Sequence, residues 1–128
     1  METGKETILR LYGAYRRQDI EEVVAGMHEH ARFQAVPSTR VYEGPEDIRL
    51  FFETEIHDIA EFDFRVESVE ESGPVVLLLG RYRIFEEGEA KDRPMAWLSM
   101  MENGQIREFQ PFTDPQKGVE KFRDAAFA

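Results

Sequence analysis

The chain has 128 residues, 41% of them hydrophobic and 33% charged, with a net charge of −10 at pH 7 and no cysteine. A chain of that length buries roughly two thirds of its unfolded surface, enough for one core, so a single domain over residues 1–128 is expected. The acidic balance excludes non-specific nucleic-acid binding and docking on anionic lipid, and the missing thiols exclude a disulfide framework, a thiol nucleophile and a thiolate metal site.

Met1-Glu2-Thr3-Gly4-Lys5-Glu6 lacks the basic-then-apolar order of a secretory leader. No apolar run reaches membrane-spanning length, so the expected location is the cytoplasm. Thr3 and Glu6 have the spacing of a capping box, in which each side chain satisfies a free amide at a helix start. Ile8, Leu11, Tyr12 and Tyr15 then share one helical face, and the helix is expected to run to about Arg17. Asp19 is the expected cap of a second helix, with Ile20, Val23, Val24 and Met27 as its apolar stripe and its end near His28.

Ala31 to Val36 has the alternation of a short strand, stopped by Pro37. Val41-Tyr42 is a short extended piece. Pro45 then sits near the first position of a third helix, where a missing N–H costs nothing. Ile48, Phe51, Phe52, Ile56 and Ile59 form its stripe. From Glu61 the period changes to two, with Phe62, Phe64 and Val66 on one face. Ser72-Gly73-Pro74 is a turn, Val75 to Glu86 a strand, Glu86-Glu87-Gly88-Glu89 another turn, and Lys91 to Met101 a strand. Asn103-Gly104 is the dipeptide of a tight hairpin, since both turn positions need positive φ. A strand from Gln105 to Thr113 follows, and Asp114-Pro115 opens a last helix with Val119, Phe122 and Ala126 inward. There is no internal repeat, linker or low-complexity segment.

Segregated helices and strands of this kind indicate an α+β fold, with helices on one side of a curved antiparallel sheet. Val75-Val76-Leu77-Leu78-Leu79 and Met95-Ala96-Trp97-Leu98 do not alternate, so both faces of the sheet must be covered. The expected cover for the second face is another copy of the chain, giving a homodimer; the C-terminal tail is the alternative.

Several segments carry a family likeness. They are the first helix Ile8-Leu9-Arg10-Leu11-Tyr12-Gly13-Ala14-Tyr15, the entry Asp19-Ile20-Glu21-Glu22-Val23-Val24, and the strand Ala31-Arg32-Phe33-Gln34-Ala35-Val36-Pro37. Tyr42-Glu43-Gly44-Pro45-Glu46-Asp47-Ile48, then Glu102-Asn103-Gly104-Gln105-Ile106, then Phe112-Thr113-Asp114 complete the set. In this order the chain resembles the NTF2-like superfamily, and within it the SnoaL-like and ketosteroid-isomerase-like group. The resemblance implies a cone-shaped sheet wrapped around helices, the cystatin-like roll, with a mostly apolar pocket inside. It implies no single chemistry, because the superfamily hosts isomerases, cyclases, epoxide hydrolases, dehydratases and non-catalytic binders.

The isomerase-like members place a carboxylate base on the strand after the second helix. The matching position here is Ala35 or Val36, which cannot move a proton. Their second acid falls within Met95-Ala96-Trp97-Leu98-Ser99, where there is none. Tyr12 or Tyr15 stands at about the oxyanion-donor position. The Asp-Arg-Asp set of the epoxide hydrolases does not assemble from Arg81, Arg83, Arg107 and Glu108. Whether the chain is an enzyme therefore stays open. Asp114 is the best remaining acid, since SnoaL-like chains often carry an aspartate there, yet Asp before Pro is also what a helix start asks for. His57 is the second catalytic candidate, next to Asp58 near the end of the third helix, where a histidine also complements the helix dipole. His28-Glu29-His30 offers two ligands and no evident third, so no metal and no cofactor are expected.

The ring supply points more firmly to binding. Tyr12, Tyr15, Phe33, Phe52, Phe64, Trp97 and Phe109, with Ser99, are the expected pocket lining. Phe51 belongs to the same inward set. The expected partner is a small apolar or aromatic molecule, oriented by the Trp97 N–H, the phenols and the Ser99 hydroxyl.

Overall fold

The computed structural model describes residues 2–34, 40–55 and 64–126. Helix α1 (Gly4–Arg16) starts on the expected capping box. Thr3 Oγ1 accepts from the Glu6 amide and Glu6 Oε1 from the Thr3 amide, each at 3.1 Å. Helix α2 (Ile20–Ala25) is capped by Asp19, whose carboxylate accepts from the Glu22 amide at 3.2 Å.

Here the structure departs from the sequence pattern. The helical stripe continues to Met27, but the helix stops at Ala25, and Met27 and His28 belong to strand β1 (Met27–Gln34). Gly26 lies hard against α1, where a Cβ would meet Leu11 Cδ1 at 2.4 Å, and its carbonyl accepts from the Ile106 amide at 2.8 Å. Sheet pairing, a long-range demand, overrides the local helical period. The expected strand residues Ala35 and Val36, and the stripe residues Ile56 and Ile59 of the third helix, lie outside the described residues.

Strand β2 (Val41–Glu43), helix α3 (Gly44–Glu55), strands β3 (Phe64–Ser72), β4 (Val75–Glu86), β5 (Glu89–Glu102) and β6 (Gln105–Phe112), and helix α4 (Pro115–Ala126) complete the order. The strands make one six-stranded sheet in the order β2-β1-β6-β5-β4-β3, curved and unclosed. Four of its five pairings are antiparallel, and β1 with β6 is parallel. No hairpin joins β1 to β6, and most of the chain lies between them, so nothing local fixes their relative direction. Asn103 (φ 53°) and Gly104 (φ 77°) make the expected turn between β5 and β6, and Glu87 (φ 53°) and Gly88 (φ 79°) repeat it between β4 and β5.

Curvature has a visible cause in β3 and β4. The register slips between Val66 and Ser68, opposite Gly80. A Cβ at Gly80 would lie 1.9 Å from the Arg65 carbonyl oxygen, so only glycine allows this approach.

The sheet separates two cores. Its inner face meets the helices α1, α2 and α3 through Val76, Leu78, Tyr82, Met95, Trp97 and Ile106. Its outer face carries Val75, Leu77, Ala96 and Leu98, closed by Phe122 and Val119 of α4. Helix α4 comes close because residue 118 is glycine: a Cβ there would sit 2.6 Å from Ala96 Cβ. The non-alternating strands are thus buried on both faces, as expected, and α4 of the same chain supplies the second cover. The face assigned from sequence to a second copy is in this region already occupied.

Candidate functional site

The inner face gathers rings from six elements. Tyr12 and Tyr15 come from α1, one turn apart on its buried side. Phe51 and Phe52 come from α3, Phe33 from β1, Phe64 from β3, Trp97 from β5 and Phe109 from β6. They touch in sequence. Trp97 lies 5.0 Å from Phe64, Phe64 5.0 Å from Tyr15, and Tyr15 5.9 Å from Phe52, between ring centroids. Phe52 lies 5.4 Å from Phe33, and Phe33 stacks on Phe109 at 5.1 Å and 13°. Tyr12 joins through Phe64 at 5.3 Å. These separations suit tilted and offset ring pairs.

All seven rings expected from sequence are therefore brought together, and Phe51 links to them. Phe51 lies 5.3 Å from Phe33 and 5.1 Å from Phe52. Tyr42, which sequence reasoning missed, extends the path to the surface, 4.9 Å from Phe51, with the Arg40 guanidinium 4.5 Å over its ring. Its position follows from the β1–β2 register, which sets Tyr42 opposite Phe33. A three-residue strand has no period from which that pairing could be read.

Polar groups in this interior are few and already committed. Thr7 and Ser99 are the buried polar residues among those described. Ser99 shares the Trp97 face of β5 and donates to the Met101 sulfur at 3.6 Å. The Tyr12 hydroxyl donates to the Phe64 carbonyl at 3.0 Å and accepts from the Val66 amide at 3.4 Å. It clips α1 to the start of β3, beside the register slip, and so holds sheet curvature against the helix. Among the described residues, no carboxylate, imidazole or amine is fully buried beside the rings.

The catalytic candidates stand apart from the rings. Asp114 is exposed at the start of α4, where its carboxylate accepts from the Gln116 amide at 3.1 Å and its carbonyl from the Lys117 amide at 3.1 Å. This is the geometry of a helix-start residue. His57 and the base-position residues Ala35 and Val36 lie outside the described residues. Arg107 donates to the His30 carbonyl and pairs with Glu102 at 3.3 Å, bridging a stretch of β1 whose register with β6 is broken between Met27 and Arg32. His28 Nδ1 accepts from the His30 amide at 3.0 Å, and its Nε2 lies 3.4 Å from Glu102. Among the described residues, no group of three His, Asp, Glu or Cys is placed to hold a metal ion.

Proton affinities are displaced on the helix surfaces. The Glu2 carboxyl is held below its usual range by its hydrogen bond from Arg10, and Arg49 is pushed up by its hydrogen bond to Glu21. Both groups belong to partly exposed ion pairs on the outside of the helices. Among the described residues, no helix is long and apolar enough to cross a membrane.

A family model described as the SnoaL-like domain matches residues 8–109. No curated protein matches the sequence. Among solved structures, the chain is similar to an NTF2-like protein of unknown function from Burkholderia pseudomallei, at 20% identity and a TM-score of 0.74, over 94% of this chain and 97% of that one. It is similar to TerC, crystallised with polyporic acid, at 18% identity and a TM-score of 0.72, over 94% of this chain and 98% of the other. A cystatin-fold protein from Novosphingobium aromaticivorans matches at 16% identity and a TM-score of 0.73, over 88% and 99% respectively. At these identities the likeness is one of fold.

Proposed function

Since this chain belongs to the SnoaL-like domain family, within the NTF2-like fold, we propose that it binds a small apolar or aromatic molecule between the inner sheet face and helices α1 and α3. One observation carries the reading: seven aromatic side chains from six elements meet in one chain of ring contacts, with no buried charge among the described residues. A flat ligand exchanges ring–ring contacts for ring–ligand contacts at little loss. Tyr42 and Phe51 mark the side from which such a molecule enters. TerC, which shares the fold and was crystallised with polyporic acid, lends support from outside the chain.

The chain's single tryptophan makes the test direct, because Trp97 is 3% exposed and 5.0 Å from Phe64. Thermal-shift screening against steroids, polyketides and aromatic acids is expected to find ligands that raise the melting temperature and change Trp97 emission. A screen in which no compound of these classes moves either signal contradicts the proposal.

Turnover of the isomerase, cyclase or dehydratase kind, by Asp114 or His57 with a tyrosine, has weaker support. Asp114 is exposed and spent on the start of α4, and the Tyr12 hydroxyl is spent on backbone. A non-catalytic dimerisation module has less support, because α4 covers Leu77 and Leu98 without a second copy. Sedimentation of the full chain tests the expected homodimer. A single-domain binder working in the cytoplasm fits a chain with no cysteine and net charge −10.

A further inference from the structure

On the outer face, away from α4, strands β2, β1 and β6 run side by side over a cavity of about 170 Å³ lined by Arg32, Gln34, Val41, Glu108, Phe109 and Gln110. That volume far exceeds the roughly 10–15 Å³ a single water needs. The register explains the composition. Arg32 is opposite Glu43 on β2 and Glu108 on β6, and Gln34 is opposite Val41. Gln110 stands two residues beyond Glu108, on the same face of β6. Phe33 and Phe109, the alternate residues, turn inward and stack on each other. One face of these strands thus serves the ring cluster, and the other presents a guanidinium, a carboxylate and two carboxamides.

These polar groups are not used up by the fold. Arg32 reaches Glu43 only at 3.7 Å. Among the described residues, no side-chain hydrogen bond or ion pair engages Gln34, Glu108 or Gln110. Gln34 and Gln110 are half-buried, so their carboxamides are partly withdrawn from water without a protein partner. Within the lining Arg32 and Glu108 balance in charge, but Arg32 leans to Glu43 at 3.7 Å, outside the lining, which leaves Glu108 without a close counter-charge in a chain of net charge −10. An anion would meet Glu108 and that overall field unfavourably. A cation would find Glu108 as its counter-charge, and carboxamide donors and acceptors for its polar substituents.

We propose that this groove, which shares Phe109 with the ring cluster but opens on the opposite face of the strands, is a second binding site for a small organic cation that also carries hydrogen-bonding groups, such as an amine with a hydroxyl or amide substituent. Its charged nitrogen sits on Glu108, and Gln34 and Gln110 hold the polar substituent. Val41 gives the groove one apolar wall.

Amide proton–nitrogen NMR titration of the full chain with glycinamide tests this, with acetamide as the neutral control and acetate as the anionic one. Glycinamide is expected to move the amides of residues 32–34, 41–43 and 108–110 saturably while leaving those around Trp97 in place. Glu108→Gln is expected to weaken binding about tenfold or more, the scale of a lost charge-assisted hydrogen bond, and Gln110→Ala about threefold. Gln110→Ala decides the matter alone should Glu108→Gln fail to fold. Three results overturn the proposal: shifts that do not saturate or that scatter over the acidic surface, a stronger response to acetate than to glycinamide, or sedimentation as a dimer with these same amides protected, which would make a second copy the occupant.

Discussion

Under α4 the outer face of the sheet is as dry as the inner one, yet the two are built from different side chains. The outer one is aliphatic and tight: Val75, Leu77, Ala96 and Leu98 lie under α4, and Gly118 lets the helix touch Ala96. The inner one is aromatic, with flat rings whose contacts range from near-parallel to edge-on, and four phenols and an indole bring polar tips into it. Close aliphatic packing fixes one arrangement, because each methylene is felt. Ring clusters, whose contacts range over tilted, stacked and edge-on pairs, tolerate exchange of one flat neighbour for another. The outer face is thus suited to hold the helix and the inner face to hold a guest.

That contrast can be broken at its hinge. Gly80→Ala forces a Cβ onto the Arg65 carbonyl and is expected to be the most damaging single change, costing about 3 kcal/mol or more by urea unfolding. Both faces depend on the curvature set there, so stability and ligand binding should fall together.

Gly118→Ala separates the faces. It pushes α4 away from Ala96 and is expected to cost about 1–3 kcal/mol while leaving inner-face ligand affinity unchanged in calorimetry. Tyr12→Phe acts on the inner side alone. It removes a hydroxyl bonded to both Phe64 and Val66, and about 1–2 kcal/mol of stability should go with it, along with affinity for a ligand seated near Phe64. Asp114→Asn is the smallest, since Asn caps helices about as well as Asp. Its expected effect on melting temperature and on any turnover is close to nil, and a large loss of turnover would move the chemistry to α4.

What could be read from the sequence divides along the same physical line. Local signals were faithful: Thr3 with Glu6, Asp19, and Asn103 with Gly104 each need only their near neighbours, and each appears in the structure as expected. The inward rings were also legible, because strand and helix periods determine which way a side chain turns. Long-range partners were not. Met27 fits the α2 stripe, and only its pairing with Ile106 on β6 claims it for a strand. The parallel match of β1 with β6 leaves no local mark. Apolar runs in β4 and β5 told that both faces are covered, but not that α4 covers one, since a helix stripe and a second copy satisfy the same pattern. Tyr12 reads as a phenol aimed at a pocket. Its bond to the Phe64 carbonyl exists only because β3 begins there.

The most direct measurement is a titration of Trp97 fluorescence with a compound found by thermal shift, carried out in the wild type, Phe33→Leu and Gly118→Ala. Saturable quenching in the wild type, weakened about tenfold or more by Phe33→Leu and left unchanged by Gly118→Ala, is the predicted result, a difference of about 1.4 kcal/mol in binding. A ligand that raises the melting temperature without touching Trp97 emission, or whose affinity Gly118→Ala reduces as much as Phe33→Leu does, contradicts the assignment of the guest to the inner face.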